Sequence, residues 1–207
     1  MSLCVLDNRS SKKPAMSCRN LMKKDFKKFG RLRISVLLPI ALLAVDCFAA
    51  GRPVTWAEKL ACPGVPNLHR VDAKLYRSAQ PTAAGMTNLV ALGVKTIVNL
   101  RDNHSDSDEI GGLPLAARRI EIFTGNPKVE QVKEFFAIMD DTNAVPVLVH
   151  CQHGADRTGT MCALYRIVRQ GWKVEDAIAE MKDGDYGYHS IWFNLPRFIR
   201  KAAKELK

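Results

Sequence analysis

The chain has 207 residues, 47% of them hydrophobic and 25% charged, which suits an ordinary globular protein with one good core and leaves no room for two catalytic-sized domains. Its formal charge of +10 suggests a nucleic-acid binder until it is located: residues 1–49 hold ten Lys/Arg and three Asp/Glu, leaving 21 basic against 18 acidic, or +3, for the remainder. Recognition of a phosphate backbone needs a concentrated basic face, so that class of partner is set aside.

The N-terminal excess has its own pattern. Lys23, Lys24, Lys27, Lys28, Arg31 and Arg33 precede an apolar stretch over residues 34–45, followed by Cys47, Phe48, Ala49 and Ala50. Basic, apolar and small residues in that order make a secretory signal, with cleavage expected after Ala49. Residues 1–21 are polar and carry no core pattern, which points to a natural start at Met22 or Met16. An uncleaved membrane anchor is the alternative. The apolar run falls short of the roughly 20 residues a span needs, and Pro39 and Asp46 also count against it. Asp46 likewise disfavours lipid attachment at Cys47. The expected organisation is a leader over residues 1–49 and a domain over 50–207, placed in the periplasm or outside the cell. Only Cys62, Cys151 and Cys162 follow the leader; an odd number leaves at least one thiol free in an oxidising compartment.

Residues 55–67, with Pro63, Gly64 and Pro66, read as a loop. HRVDAKLYRSAQP then predicts a short strand pair turning at Asp72 and Ala73, and PTAAGMTNLVALG a helix capped by Thr82 and ending at Gly93. VKTIVNL, residues 94–100, is a β-branched run expected of a strand buried on both faces. A polar acidic loop follows, then a strand around Arg119 to Phe123. NPKVEQVKEFFAIMDD shows a helical apolar face at positions 129, 132, 135, 136 and 139. VPVLVH is another buried strand and runs straight into Cys151. Beyond it, TGTMCALYRIVRQG predicts a helix ending at Gly171 and VEDAIAEMKDG one ending at Gly184. A last helix is expected in HSIWFNLPRFIRKAAKELK, interrupted near Pro196. Alternating helices and buried strands predict an α/β fold, a sheet with helices on its faces. Ligands bind outside the carboxyl ends of such strands.

VLVHCQHGADRTG stands at such an end. A strand, a tight loop and a helix N-terminus make an anion site, because loop and first-turn N–H groups point to one place and the helix dipole adds positive potential. Gln152, His153, Gly154 and Ala155 would form the cup, with Gly154 letting the backbone curl closely around a tetrahedral oxyanion. A cysteine at its floor, beside a helix N-terminus and an arginine, is placed as a thiolate nucleophile that attacks phosphorus in line and is then released by water. Arg157 would clamp two phosphoryl oxygens bidentately, and Thr158 would donate its hydroxyl toward the sulfur.

His150, Cys151, Arg157, Thr158 and Gly159 match the H-C-x5-R-[ST]-G signature, and on them the chain resembles the cysteine-dependent protein tyrosine and dual-specificity phosphatases. LYRSAQP, LGVKTIVNLR and GWKVEDAIAEM extend the likeness to the bacterial secreted dual-specificity-like branch, over residues 66–198. The resemblance implies a central mostly parallel sheet of four or more strands flanked by helices, hydrolysis of phosphomonoesters through a cysteinyl-phosphate, with no metal and no organic cofactor, and a His150 that orients the loop. Many members carry an Asp about thirty residues before the cysteine as general acid; here RRIEIFTGNPKVEQV has none. Asp156 is one candidate, since CQHGADRT resembles the C-x2-G-x-D-R-T loop of myotubularin-type phosphoinositide phosphatases; its alternative role is to pin the loop. Asp102, Asp106 or Asp108 is a second, and Glu121 or Glu130 a third. His153 would favour polyanionic substrates or simply face solvent; His189 is a candidate for the rim, and Trp192 is expected in the core, with the rim as its alternative. Cys162, about 16 Å along the helix from Cys151 at the usual rise, is a poor resolving thiol, which leaves Cys62. The substrate is expected to be a phosphorylated protein, or alternatively an inositol phosphate or phosphoinositide; a phosphate-binding module without turnover is the competing class.

Overall fold

A computed structural model describes residues 52–207; the leader, its cleavage point and Met22 lie outside the described residues. Six strands form one sheet in the order β1 (Glu58–Lys59), β2 (His69–Arg70), β3 (Leu75–Ser78), β6 (Val147–His150), β4 (Thr96–Asn99), β5 (Ala116–Arg119). The last four in that order run parallel, while β1 and β2 add an antiparallel edge. The sheet is therefore mostly parallel and flanked by helices, as the alternation and the resemblance together implied.

TIVN and VLVH are buried at every position because helices cover both faces. Val98, Val147 and Val149 enter a core shared with α3 (Val129–Asp140), α4 (Asp156–Arg169), α5 (Val174–Asp183) and α6 (Asn194–Glu205). Ile97 and Leu148 point the other way, against Met86 and Leu89 of α1 (Ala83–Ala91). Each such side chain removed from water contributes roughly 2 kcal/mol. Thr82 caps α1 by accepting the Gly85 N–H at 3.1 Å, and Asp72 makes the expected turn by accepting from the N–H groups of Lys74 and Leu75 at 2.7 and 2.9 Å.

Three expectations change. The strand placed around Arg119 to Phe123 lies earlier, at Ala116–Arg119, paired with β4 from Thr96–Ala116 to Asn99–Arg119. All four of its residues are exposed on the sheet edge, so ladder pairing rather than apolar alternation defines it, and Ile120 and Ile122 are buried only after pairing ends. Second, α4 starts at Asp156, putting Asp156 and Arg157 in its first turn. Third, α6 starts at Asn194, and Pro196 sits within its opening turn, where no N–H bond is broken. The polar loop after β4 also holds a single helical turn, α2 (Ser107–Ile110), anchored by buried Ile110. Among the described residues no helix is long and apolar enough to cross a membrane.

Candidate active site

β6 delivers Cys151 to the carboxyl end of the parallel strands, and residues 151–155 turn into α4. Among the described residues, the backbone N–H groups from Gln152 through Thr158 have no intramolecular acceptor. They form a run of free donors at a helix N-terminus, the arrangement that binds a tetrahedral oxyanion. Gly154 has φ 70°, and a Cβ there would lie 2.5 Å from the Ser78 carbonyl and 2.6 Å from the Ala79 nitrogen. Only glycine lets the loop rest on the end of β3 in that conformation. Cys151, Gly154, Ala155 and Thr158 are buried, whereas Gln152 and His153 face solvent. The Thr158 hydroxyl is buried and has no partner among the described residues, so it is uncommitted.

Beneath the loop most polar groups are engaged; among the described residues the hydroxyl of Thr158 and the Nε atoms of Arg77 and Arg101 are buried without a hydrogen-bond partner, as are His104 Nε2 and one oxygen of Glu109. Gln80 donates its backbone N–H to the Gln152 carbonyl at 3.2 Å and its side-chain amide to Asp106 at 2.9 Å. The second oxygen of Asp106 lies 2.8 Å from His150 Nε2, and His150 Nδ1 lies 3.3 Å from the Cys151 carbonyl oxygen. Burial raises the Asp106 carboxyl, but the hydrogen bond and charge of His150, with the bond from Gln80, outweigh it and hold the group below its ordinary value. Asp106 is thus a buried carboxylate that fixes His150, and His150 in turn meets the loop backbone. His104 Nε2 adds a third contact, 3.8 Å from Asp106 and 3.2 Å from Glu109.

Arg157 leaves the first turn of α4 and sends Nη1 toward the Leu100 carbonyl at 3.4 Å, the Ile122 carbonyl at 3.3 Å and the Asp102 carboxylate at 3.2 Å. Those residues follow β4 and β5, so the guanidinium bridges two strand ends while its other nitrogens keep their donors for a ligand. Asp102 is half-exposed at the mouth. Arg119, at the end of β5, holds its loop by donating to the Arg101 carbonyl at 3.2 Å and the Asp102 carbonyl at 2.7 Å.

The remaining acid candidates separate clearly. Both oxygens of Asp156 are taken by His189, one accepting its backbone N–H at 2.9 Å and the other 2.7 Å from its ring Nδ1. Asp156 therefore ties the start of α4 to the loop before α6, where the His189 ring stands 5.4 Å from that of His153. Glu121 pairs with Arg119 at 3.1 Å, Asp108 is exposed on α2 and Glu130 is exposed on the first turn of α3. Trp192 is half-buried and accepts from the Tyr188 hydroxyl at 2.8 Å through its carbonyl. Cys162 is free and fully buried in α4, its thiol pushed up by burial to about 11. Cys62 is disulfide-bonded and is not a resolving thiol for Cys151. Sequence reasoning missed Arg77, Gln80 and Arg119; the visible signal for the first was a charged residue inside a short strand, LYRS, that is buried at every position.

A family model described as a DSP-PTPase phosphatase fused to NAD+ kinase matches residues 66–191. The dual specificity protein phosphatase TpbA of Pseudomonas aeruginosa is 35% identical over 159 residues, 74% of this chain and 70% of that protein. Its crystal structure superposes with a TM-score of 0.68 at 32% identity, covering 75% of this chain and 96% of that one. A cysteine-to-serine form of TpbA in complex with pTyr gives 0.67 at 31%, with the same coverage. The inositol diphosphatase DSP5 of Arabidopsis thaliana is 27% identical over 126 residues, 56% of this chain and 60% of that protein.

Proposed function

The chain belongs to the dual-specificity branch of the cysteine-dependent phosphatases, and from that premise we propose that this phosphatase acts on phosphotyrosine in proteins, with Cys151 as nucleophile, Arg157 as phosphoryl clamp and Asp102 as general acid. The Cys151 sulfur attacks phosphorus; the S–P bond forms as the ester P–O bond breaks, and the departing phenolate oxygen takes the proton of Asp102. The donors of residues 152–158 and the Arg157 fork hold the non-bridging oxygens throughout. Water then attacks phosphorus, its proton returns to Asp102, and the S–P bond breaks to leave phosphate and thiolate. Thr158 donates its free hydroxyl to the leaving sulfur in this step. Asp156 positions rather than protonates, because His189 occupies both of its oxygens.

The observation that carries the choice of substrate is the rim. Phe123, Ile191 and Phe193 are 64%, 72% and 72% exposed. Phe123 follows the residue whose carbonyl meets Arg157, and Ile191 and Phe193 lie between His189 and Asn194, which donates to the Thr124 carbonyl at 3.0 Å. Exposed apolar side chains beside a phosphate cup suit an aryl group and its flanking peptide. A polyphosphorylated inositol ring would instead need several uncompensated cations there. Phosphate release by the full chain from a phosphotyrosyl peptide, inositol hexakisphosphate and a phosphoinositide, each against Cys151→Ser, tests the reading. Turnover of the peptide supports it; turnover of an inositol substrate alone overturns it, and no Cys151-dependent release from any of them would leave a binding module. We also propose export, on the basic, apolar and small order of the leader; a mature N-terminus at Ala50 in protein recovered from the periplasm or medium is the expected result, and an intact leader in the cell membrane would sink it.

A further inference from the structure

Arg77 is the third residue of β3 and is 1% exposed. Its Nη2 donates to the Gly154 carbonyl at 2.7 Å, and its guanidinium lies 3.6 Å from the centre of the Tyr186 ring. A Cβ on Gly159 would stand 3.6 Å from the same nitrogen, so the side chain reaches the first turn of α4 as well as the loop. Its Nε is buried with no partner among the described residues. Among the described residues no carboxylate forms an ion pair with it: the Tyr186 hydroxyl donates to Glu180, but Glu180 is held by Arg166 at 2.8 and 2.9 Å.

A buried charge without a counter-ion is strongly unfavourable, and a ring face and one carbonyl offset only part of it. Core packing alone would be served better by an apolar side chain. The charge lies under the loop whose free N–H groups are arranged to receive an anion.

We propose that Arg77 is a positioning residue of the phosphatase site, whose counter-ion is the phosphoryl dianion bound in the loop above it. It pulls the Gly154 carbonyl down, away from the cup, so that the neighbouring N–H groups stay presented, and it adds fixed positive charge beneath them. The inference rests on the phosphatase reading of the loop. It makes the ligand-free fold carry an electrostatic cost that phosphate removes.

The test compares the full chain with Arg77→Met and Arg77→Lys, titrating inorganic phosphate by calorimetry between pH 5.5 and 8, across which the ligand passes from monoanion to dianion, and following the melting temperature with and without it. The wild type is expected to favour the dianion. Arg77→Met should bind phosphate about tenfold or more weaker, lose most of that preference, and melt no lower than wild type without ligand. Arg77→Lys should recover part of the affinity and the preference for the dianion. Equal phosphate affinity and an equal phosphate-induced rise in melting temperature in Arg77→Met would overturn the proposal, as would loss of affinity only in step with loss of the ligand-free fold. Should Arg77→Met not fold, Arg77→Lys decides alone: a folded lysine variant indifferent to the charge of phosphate overturns it. Cys151-dependent turnover by the wild type reports on the phosphatase reading separately.

Discussion

The floor and the rim of the cup are built in opposite ways. On the floor, His150, Asp106, Gln80 and Arg77 are buried or nearly so and bond to one another or to the loop. On the rim, Asp102 is half-exposed and held chiefly through its backbone, and Phe123, Ile191 and Phe193 project into solvent. A preorganised floor suits what every phosphomonoester shares, the phosphoryl group, because fixed donors need no rearrangement as charge develops. An open rim suits what differs between substrates. Substitutions on the floor should therefore change kcat for every substrate, and those on the rim should change which substrate is taken.

The largest effects test that division at the phosphoryl group. Cys151→Ser should lower turnover by roughly four orders of magnitude or more with any ester, and Arg157→Lys by about a thousandfold, because a point charge does not replace the bidentate fork. Steady-state rates with a phosphotyrosyl peptide and with p-nitrophenyl phosphate check both; a substrate-selective loss would break the comparison. Asp102→Asn comes next. It should slow phenyl phosphate about a hundredfold and p-nitrophenyl phosphate less than about tenfold, since the better leaving group does not need the proton. The same pattern in Asp156→Asn instead would return the acid to the helix, whereas a loss of phosphate affinity there marks the tie to His189.

How far these roles were legible in the sequence depended on distance along the chain. Cys151, the cup and Arg157 are contiguous, and the β-branched runs of β4 and β6 announce burial on both faces, so strand, loop and helix could be read together. Asp102 was visible only as one of several acids. What places it is Arg119, on an edge strand whose AARR carries no apolar signal. Asp106 and His150 are 44 residues apart and Arg77 and Gly154 77 apart, and no local period marks such pairs. The sequence leaves the carboxylate of Asp156 as acid or anchor, and its two bonds to His189, 33 residues later, are contacts that only the fold displays.

Burial of the floor has a cost in acid. His69, packed edge-on against the Tyr186 ring that also carries Arg77, is lowered from 6.5 to about 4, chiefly by burial. The folded protein then binds fewer protons than the unfolded chain between those values, so stability is full above pH 6.5 and falls as pH drops toward 4. The loss is on the order of 3 kcal/mol. Asp106 is also depressed, so its contribution is present above its unfolded value of 3.8 and is lost below it. Urea midpoints at pH 7, 5 and 3.5 should fall in two stages, and His69→Phe should flatten the first; a single stage below pH 4 would remove His69 from the account.

The smallest expected effects belong to the rim and are the most specific. Phe123→Ala and Phe193→Ala each delete an exposed ring that touches no phosphoryl oxygen, so neither should alter kcat for p-nitrophenyl phosphate by more than about twofold. For a phosphotyrosyl peptide, each should raise KM by about three- to tenfold, the size of losing 1 kcal/mol or so of apolar contact. A split of this kind, KM moving for the peptide and holding for the small ester, is what a side chain that grips the substrate beyond its phosphate produces. If instead both substrates lose kcat together, Phe123 acts through its neighbour Ile122, whose carbonyl holds Arg157, and the rim at that point is part of the floor.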